Sequence, residues 1–170
     1  MFFLNFFDRK ILREEMTGKK YLILTYLLSA LVVLYFSSSS EKQVISNYGV
    51  VFGWQDFIQI LLKNIIASIW LLLAYVFGEG VVYLFFIING AILGRLMSIF
   101  PTFNYLLLVI PHGVFEIAAY IYLADAVIGL KSKEQTKVCF FKHLQISILL
   151  LIISAGIETF ITPLMVKFLN

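Results

Sequence analysis

The chain has 170 residues, of which 61% are hydrophobic and only 14% charged, with a net charge of +3 and a mean hydropathy of +0.96. A soluble domain of this length cannot hide so much apolar side chain, so the composition excludes one and predicts an all-α, polytopic integral membrane helix bundle built as a single domain over residues 1–170. The lone Cys139 excludes an intrachain disulfide and any site made of several cysteines.

Residues 1–20 carry Phe3, Phe7 and Ile11 at intervals of four, with Leu4, Leu12 and Met16 alongside and charges between. That pattern predicts an amphipathic helix lying in the cytoplasmic interface. The first span is expected over 21–36 as an uncleaved helix, since no convincing cleavable signal precedes it. Residues 37–56, serine-rich and then NYGVVFGWQD, read as an outer loop. The second span is expected from about Phe57 to Phe77, ending at the turn signal Gly78-Glu79-Gly80. The third covers 81–100. The fourth lies within 102–130, which at ~1.5 Å per residue is longer than the ~30 Å of hydrocarbon requires. Pro111 suits the first turn of a helix, so 112–130 is read as the span and 102–110 as a re-entrant or interfacial helix, with one kinked helix as the alternative. The fifth span lies within 143–168, after a basic loop at 131–142. About five spanning helices result.

Orientation follows the basic residues. Arg9, Lys10, Arg13, Lys19 and Lys20, with Lys131, Lys133, Lys137 and Lys142, make nine of the thirteen lysines and arginines. With five spans they share one side, which predicts a multi-pass protein of the bacterial cell membrane with a cytoplasmic N-terminus. These segments suit anionic membrane lipid, each basic residue adding ~1 kcal/mol near the surface, and no nucleic-acid partner is expected.

Polar side chains within the spans are costly in hydrocarbon and point to partners or function. Lys63 and Asn64 fall in the second span, Asn89 and Arg95 in the third, His112, Glu116 and Asp125 in the fourth, and Glu158 and Thr162, followed by Pro163, in the fifth. The topology gathers His112, Glu116, Glu158, Thr162, Asn64 and Asn89 in the outer half of the membrane, with Lys63, Arg95, Pro111, Gly113, Gly90 and Pro163 in support. Glu79 and Asp125 form an inner acidic layer. His112 and Glu116 share a helix face, as do Glu158 and Thr162. Gly90 and Gly94 form a GxxxG pattern, a helix-packing signal.

Four short pieces carry a family resemblance. PHGVFEIAAY (111–120), LLKNIIASIW with Asn64, IINGAILG with Asn89 and Gly90, and ISAGIETFITP with Glu158, Thr162 and Pro163 resemble, in order, the stage II sporulation protein M family over about 60–165. The resemblance implies an all-helical multispanning membrane protein, and the family's sporulation member acts with other membrane and wall-degrading proteins and is not known as the hydrolase itself. Small relatives accompany gene clusters for circular bacteriocins, which implies maturation, export or self-immunity of a secreted peptide, with an ABC transporter as a candidate membrane partner. The 37–56 segment offers no sizeable outer domain to hold wall enzymes, so the small-relative role is favoured over a sporulation or envelope-remodelling scaffold.

Three chemistries suit the outer cluster. The first is a hydrogen-bond network that fixes helix packing, with or without a homo-oligomer. The second is a metal site, zinc for example, held by His112, Glu116 and Glu158 with a position open for peptide cleavage or ligation. Neither HExxH nor a GxSxG nucleophile motif accompanies it. The third is an ion or small-molecule route from the outer carboxylates to Glu79 and Asp125.

Overall fold

The computed structural model describes residues 2–37, 53–99, 106–133 and 135–169. Every regular element among them is helical: α1 (Phe2–Ser37), α2 (Trp54–Leu72), α3 (Ala74–Phe77), α4 (Glu79–Ile99), α5 (Leu106–Lys131), α6 (Lys137–Gly156), a π-helical turn (Ile157–Ile161) and α7 (Thr162–Leu169). Five stretches are long and apolar enough to cross a membrane, namely Lys19–Ser37, Trp54–Phe77, Glu79–Ser98, Leu108–Lys131 and Lys137–Met165. The protein is a multi-pass helical membrane protein. Its two faces are called here the N-terminal face, which carries the α5–α6 turn, and the far face.

Three boundaries differ from the sequence expectation. The first twenty residues are helical but form no separate interfacial helix, because α1 continues unbroken into the first span. The sole interruption in composition is Gly18, and one glycine costs a helix only about 1 kcal/mol. Pro111 does not begin a helix. It lies inside α5, which starts at Leu106, so a single helix through Pro111 replaces the re-entrant segment over 106–110. A membrane helix tolerates such a proline where neighbouring helices support the disturbed backbone; the carbonyl that Pro111 leaves without its donor is that of Leu107, and beside it the Thr162 hydroxyl donates to the Leu108 carbonyl at 3.4 Å. The basic loop is shorter than 131–142, because Thr136 caps α6 by accepting from the Cys139 amide at 3.3 Å. Lys137 and Lys142 therefore sit on the helix. Residues 38–52 of the expected outer loop (37–56) and residues 100–105 lie outside the described residues, and Trp54 to Asp56 already belong to α2.

The turn at Gly78 is where expected. Gly78 adopts φ 92°, a left-handed conformation that only glycine takes without strain. Lys131 at the end of α5 donates to the Val76 carbonyl at 3.2 Å, placing a cation at the carbonyl end of α3. Glu79 opens α4, where a carboxylate complements the exposed amides.

The helices pack as two pairs bridged by α2 and α3. α1 and α4 run parallel. Gly90 faces the Ser29 hydroxyl and Tyr26 carbonyl, Gly94 faces the Ala30 backbone, and a methyl group at either glycine would collide with them. The GxxxG pattern is therefore the seam of this pair. α5 and α6 form an antiparallel hairpin. Between the pairs lies one apolar cluster including Leu71, Val82, Phe85, Phe86, Leu123, Val127 and Leu151, with Phe85 edge-on to Tyr120 at 4.8 Å.

Candidate functional site

Two proline-disturbed segments face one another near the far face. On α5, Pro111 precedes His112. On the fifth span, Pro163 follows Thr162. A proline cannot donate to the carbonyl four residues back, and its ring pushes that carbonyl away. The π-turn at Ile157–Ile161 lies immediately before Pro163 and opens the helix there. The wider turn has a second effect. In a regular α-helix Ser154 and Thr162, eight residues apart, would differ by roughly 80° around the axis. The residue absorbed by the π-turn brings both onto the side facing α5.

The contacts follow from that alignment. Ser154 donates to the His112 carbonyl at 2.9 Å. The Thr162 hydroxyl meets His112 Nδ1 at 3.5 Å. One turn further along α5, Tyr120 donates to Glu116 Oε1 at 2.8 Å. Glu116 also interacts electrostatically with Glu158 and His112, Tyr26 of α1 with Glu116, and Glu158 with Lys63 of α2. His112, Glu116, Glu158 and Thr162 thus fall in one region of the fold, with Lys63 within electrostatic reach of Glu158.

Other predicted members go elsewhere. Asn89 donates to the Phe85 carbonyl of its own helix at 2.9 Å. Gly90 belongs to the α1–α4 seam, and Arg95 lies on an exposed face of α4. A methyl at Gly113 would meet only Val109, at ordinary contact distance, so close packing does not demand that glycine. The Asn64 amide nitrogen is buried and finds no acceptor among the described residues. The predicted metal set is not assembled. Among the described residues no three His, Cys, Asp or Glu side chains are arranged to hold a metal ion, and the His112 ring is turned to Thr162.

Asp125 joins a different group from the one expected. Its carboxylate lies 3.2 Å from Lys19 Nζ of α1 and 3.8 Å from His143 Nδ1 of α6, whereas Glu79 stands exposed at the start of α4. The inner acidic layer is therefore an ionic cluster tying three helices together near the N-terminal face. Glu116 and Asp125 are nine residues apart, ~13 Å along the helix, and the buried Ala119, Leu123 and Ala124 lie between them on α5.

The sequence reading missed Tyr120, Ser154, Tyr26, Lys19, His143 and the π-turn. Tyr120 was visible as the next step of the His112–Glu116 spacing. His143 and Lys19 were visible as groups at the depth of Asp125 able to carry the opposite charge. Ser154 is off-phase with Thr162 in any regular helix, so only the π-turn reveals it.

Comparison with known proteins adds the family. The sequence profile of stage II sporulation protein M matches residues 22–163, and the chain belongs to that family. Comparison with curated proteins and with solved structures yields no match.

Proposed function

We propose that this protein is an accessory subunit of a membrane assembly, acting in maturation, export or self-immunity of a secreted, possibly circular, peptide, with its N-terminal face in the bacterial cytoplasm. The carrying observation is how His112 is used. Its carbonyl and its ring are both engaged by the fifth span, so the polar groups hold α5 against α6 and α7 rather than converging on an open ligand position. Hydrogen bonds of this kind average ~0.6 kcal/mol in membranes, enough together to select one packing. The apolar layer between the two polar levels favours an accessory role over a transport route within one chain. A broad lipid-facing surface that includes Leu24, Leu28, Leu31, Ile66 and Trp70 leaves ample area for lipid or a partner such as a transporter. The peptide role extends the family assignment to its small members.

The test is affinity purification from native membranes, with deletion and Glu116 variants scored for secreted peptide, self-resistance and envelope remodelling. Deletion is expected to abolish peptide output or resistance. Loss confined to envelope remodelling would replace the peptide role by the scaffold role. Glu116→Gln keeps shape and hydrogen bonding and is expected to retain most function. Complete loss in a well-expressed Gln variant would show that an ionisable carboxyl group is needed at Glu116, and the accessory reading would fall.

A further inference from the structure

α2 has two faces of different character. Phe57, Leu61, Ser68 and Leu71 turn into the protein. Phe57 stacks on Phe160 of the π-turn at 6.2 Å, Leu61 packs on the apolar core, and Ser68 and Leu71 are buried. The opposite face is exposed and carries Gln59, Lys63, Ile66, Trp70 and Leu73. Their alternating spacing of four and three residues makes one continuous seam, the register in which most membrane helices pack at shallow angles. The span Trp54–Phe77 is centred between Ile65 and Ile66, so Lys63 lies only ~4 Å from its middle and Gln59 ~10 Å. With ~30 Å of hydrocarbon, the edge is then ~11 Å from Lys63, and a snorkelling lysine covers only part of that distance. Cations at such depth almost always face protein or a water-filled cavity. Lys63 instead faces outward and enters no ion pair among the described residues, where Asp125 takes both such contacts.

We infer that the exposed face of α2 docks a transmembrane helix of another membrane protein, and that this helix carries a carboxylate at the level of Lys63. Ile66 and Trp70 receive its apolar flank and Gln59 a polar group one turn nearer the far face. The inference rests on the reading of the protein as a subunit of a membrane assembly and names the surface that serves it. Charge complementarity selects the partner. A second copy of this chain does not fit. Across a two-fold axis along the membrane normal, groups at equal depth meet, so Lys63 would face its own counterpart. In any other pairing the copy must present an exposed carboxylate at that depth. Among the described side chains the exposed carboxylates are those of Asp56 and Glu79. Asp56 is seven residues nearer the far face, ~10 Å along the helix, and accepts from the Gly53 amide at 3.2 Å. Glu79 opens α4, beyond the other end of the span.

The experiment is energy transfer in phosphatidylcholine vesicles between the labelled full-length protein and labelled synthetic leucine-alanine transmembrane helices whose central residue is Glu, Gln or Leu. The Glu helix is expected to associate about threefold or more tightly than the Gln or Leu helix, the worth of one polar contact between membrane helices. Lys63→Arg should keep that preference and Lys63→Gln should lose it, with both variants confirmed as folded by thermal melting. In a Cys139→Ser background, Ile66→Cys should form a disulfide with a cysteine one turn from the central Glu. Leu149→Cys, exposed on α6, should not. Equal association of the three helices, a preference that survives Lys63→Gln, or a disulfide at Leu149→Cys alone would overturn the proposal. So would energy transfer between two copies of the chain that Lys63→Gln abolishes, which would seat a second copy on the seam. Disappearance of the preference on adding phosphatidylglycerol would assign Lys63 to a lipid headgroup, and strong non-additivity of Lys63→Gln with Glu158→Gln in thermal stability would pair the two within the chain; either result overturns it. If the Glu helix binds while deletion leaves secretion and resistance unchanged, the peptide role falls and the docking face stands; a deletion phenotype without the Glu preference removes the face alone.

Discussion

The α1–α4 seam and the α5–α6 seam join helices in the same bilayer by opposite means. In the first, glycines let two parallel backbones approach, and the contacts are with carbonyls and a serine hydroxyl. In the second, an antiparallel hairpin is tied by Ser154, Thr162 and the Asp125 cluster. Lipid is as apolar as a leucine surface, so association in a membrane relies on close van der Waals approach or on hydrogen bonds. The glycine seam is intolerant of volume and insensitive to polarity. The polar seam tolerates volume where space is open, as at Gly156, and is sensitive to each donor.

Substitutions at six positions break or sharpen that contrast. The largest effect is expected from Gly94→Leu, which drives a side chain into the Ala30 backbone; overpacking of this kind costs about 3 kcal/mol or more. Thermal unfolding in detergent should show it, whereas Gly156→Ala should shift stability by under about 0.5 kcal/mol. A benign Gly94→Leu would mean that α1 and α4 are not joined there. Next comes Pro163→Ala, which removes the reason for the π-turn. Closure to a regular helix would rotate Thr162 away from His112, and the His112 ring resonances should shift in a spectrum of the labelled protein. Asp125→Asn releases Lys19 and His143. Because Lys19 and Asp125 are 34% and 21% exposed, the loss should be only about 1 kcal/mol, and it should shrink in high salt. Ser154→Ala should cost less again, ~0.6 kcal/mol. A Ser154→Ala, Thr162→Val double variant that loses no stability would deny the hydroxyls their role in the polar seam.

Much of the site was legible because membranes penalise polar side chains. His112, Glu116, Glu158 and Thr162 stand out against an apolar background, and helical spacing puts them on faces without any coordinates. Asn89 stood out equally and does not belong, because a helix interior offers an asparagine its own backbone carbonyl. Neither hydropathy nor spacing distinguishes a polar group satisfied within its helix from one that seeks a neighbour.

The sequence by itself determined the class, the five spans, the Gly78 turn and the polar residues that demand partners, since each follows from the cost of exposing backbone or charge to lipid. Tertiary structure alone decided which helices pair. α1 and α4 are joined although the whole of the second span lies between them, and Asp125 meets Lys19 and His143 rather than Glu79. It also decided that the chain passes through Pro111 and widens before Pro163. Proline states only that a backbone bond is missing; whether the helix breaks, kinks or bulges depends on which neighbour stands ready to meet the freed carbonyl.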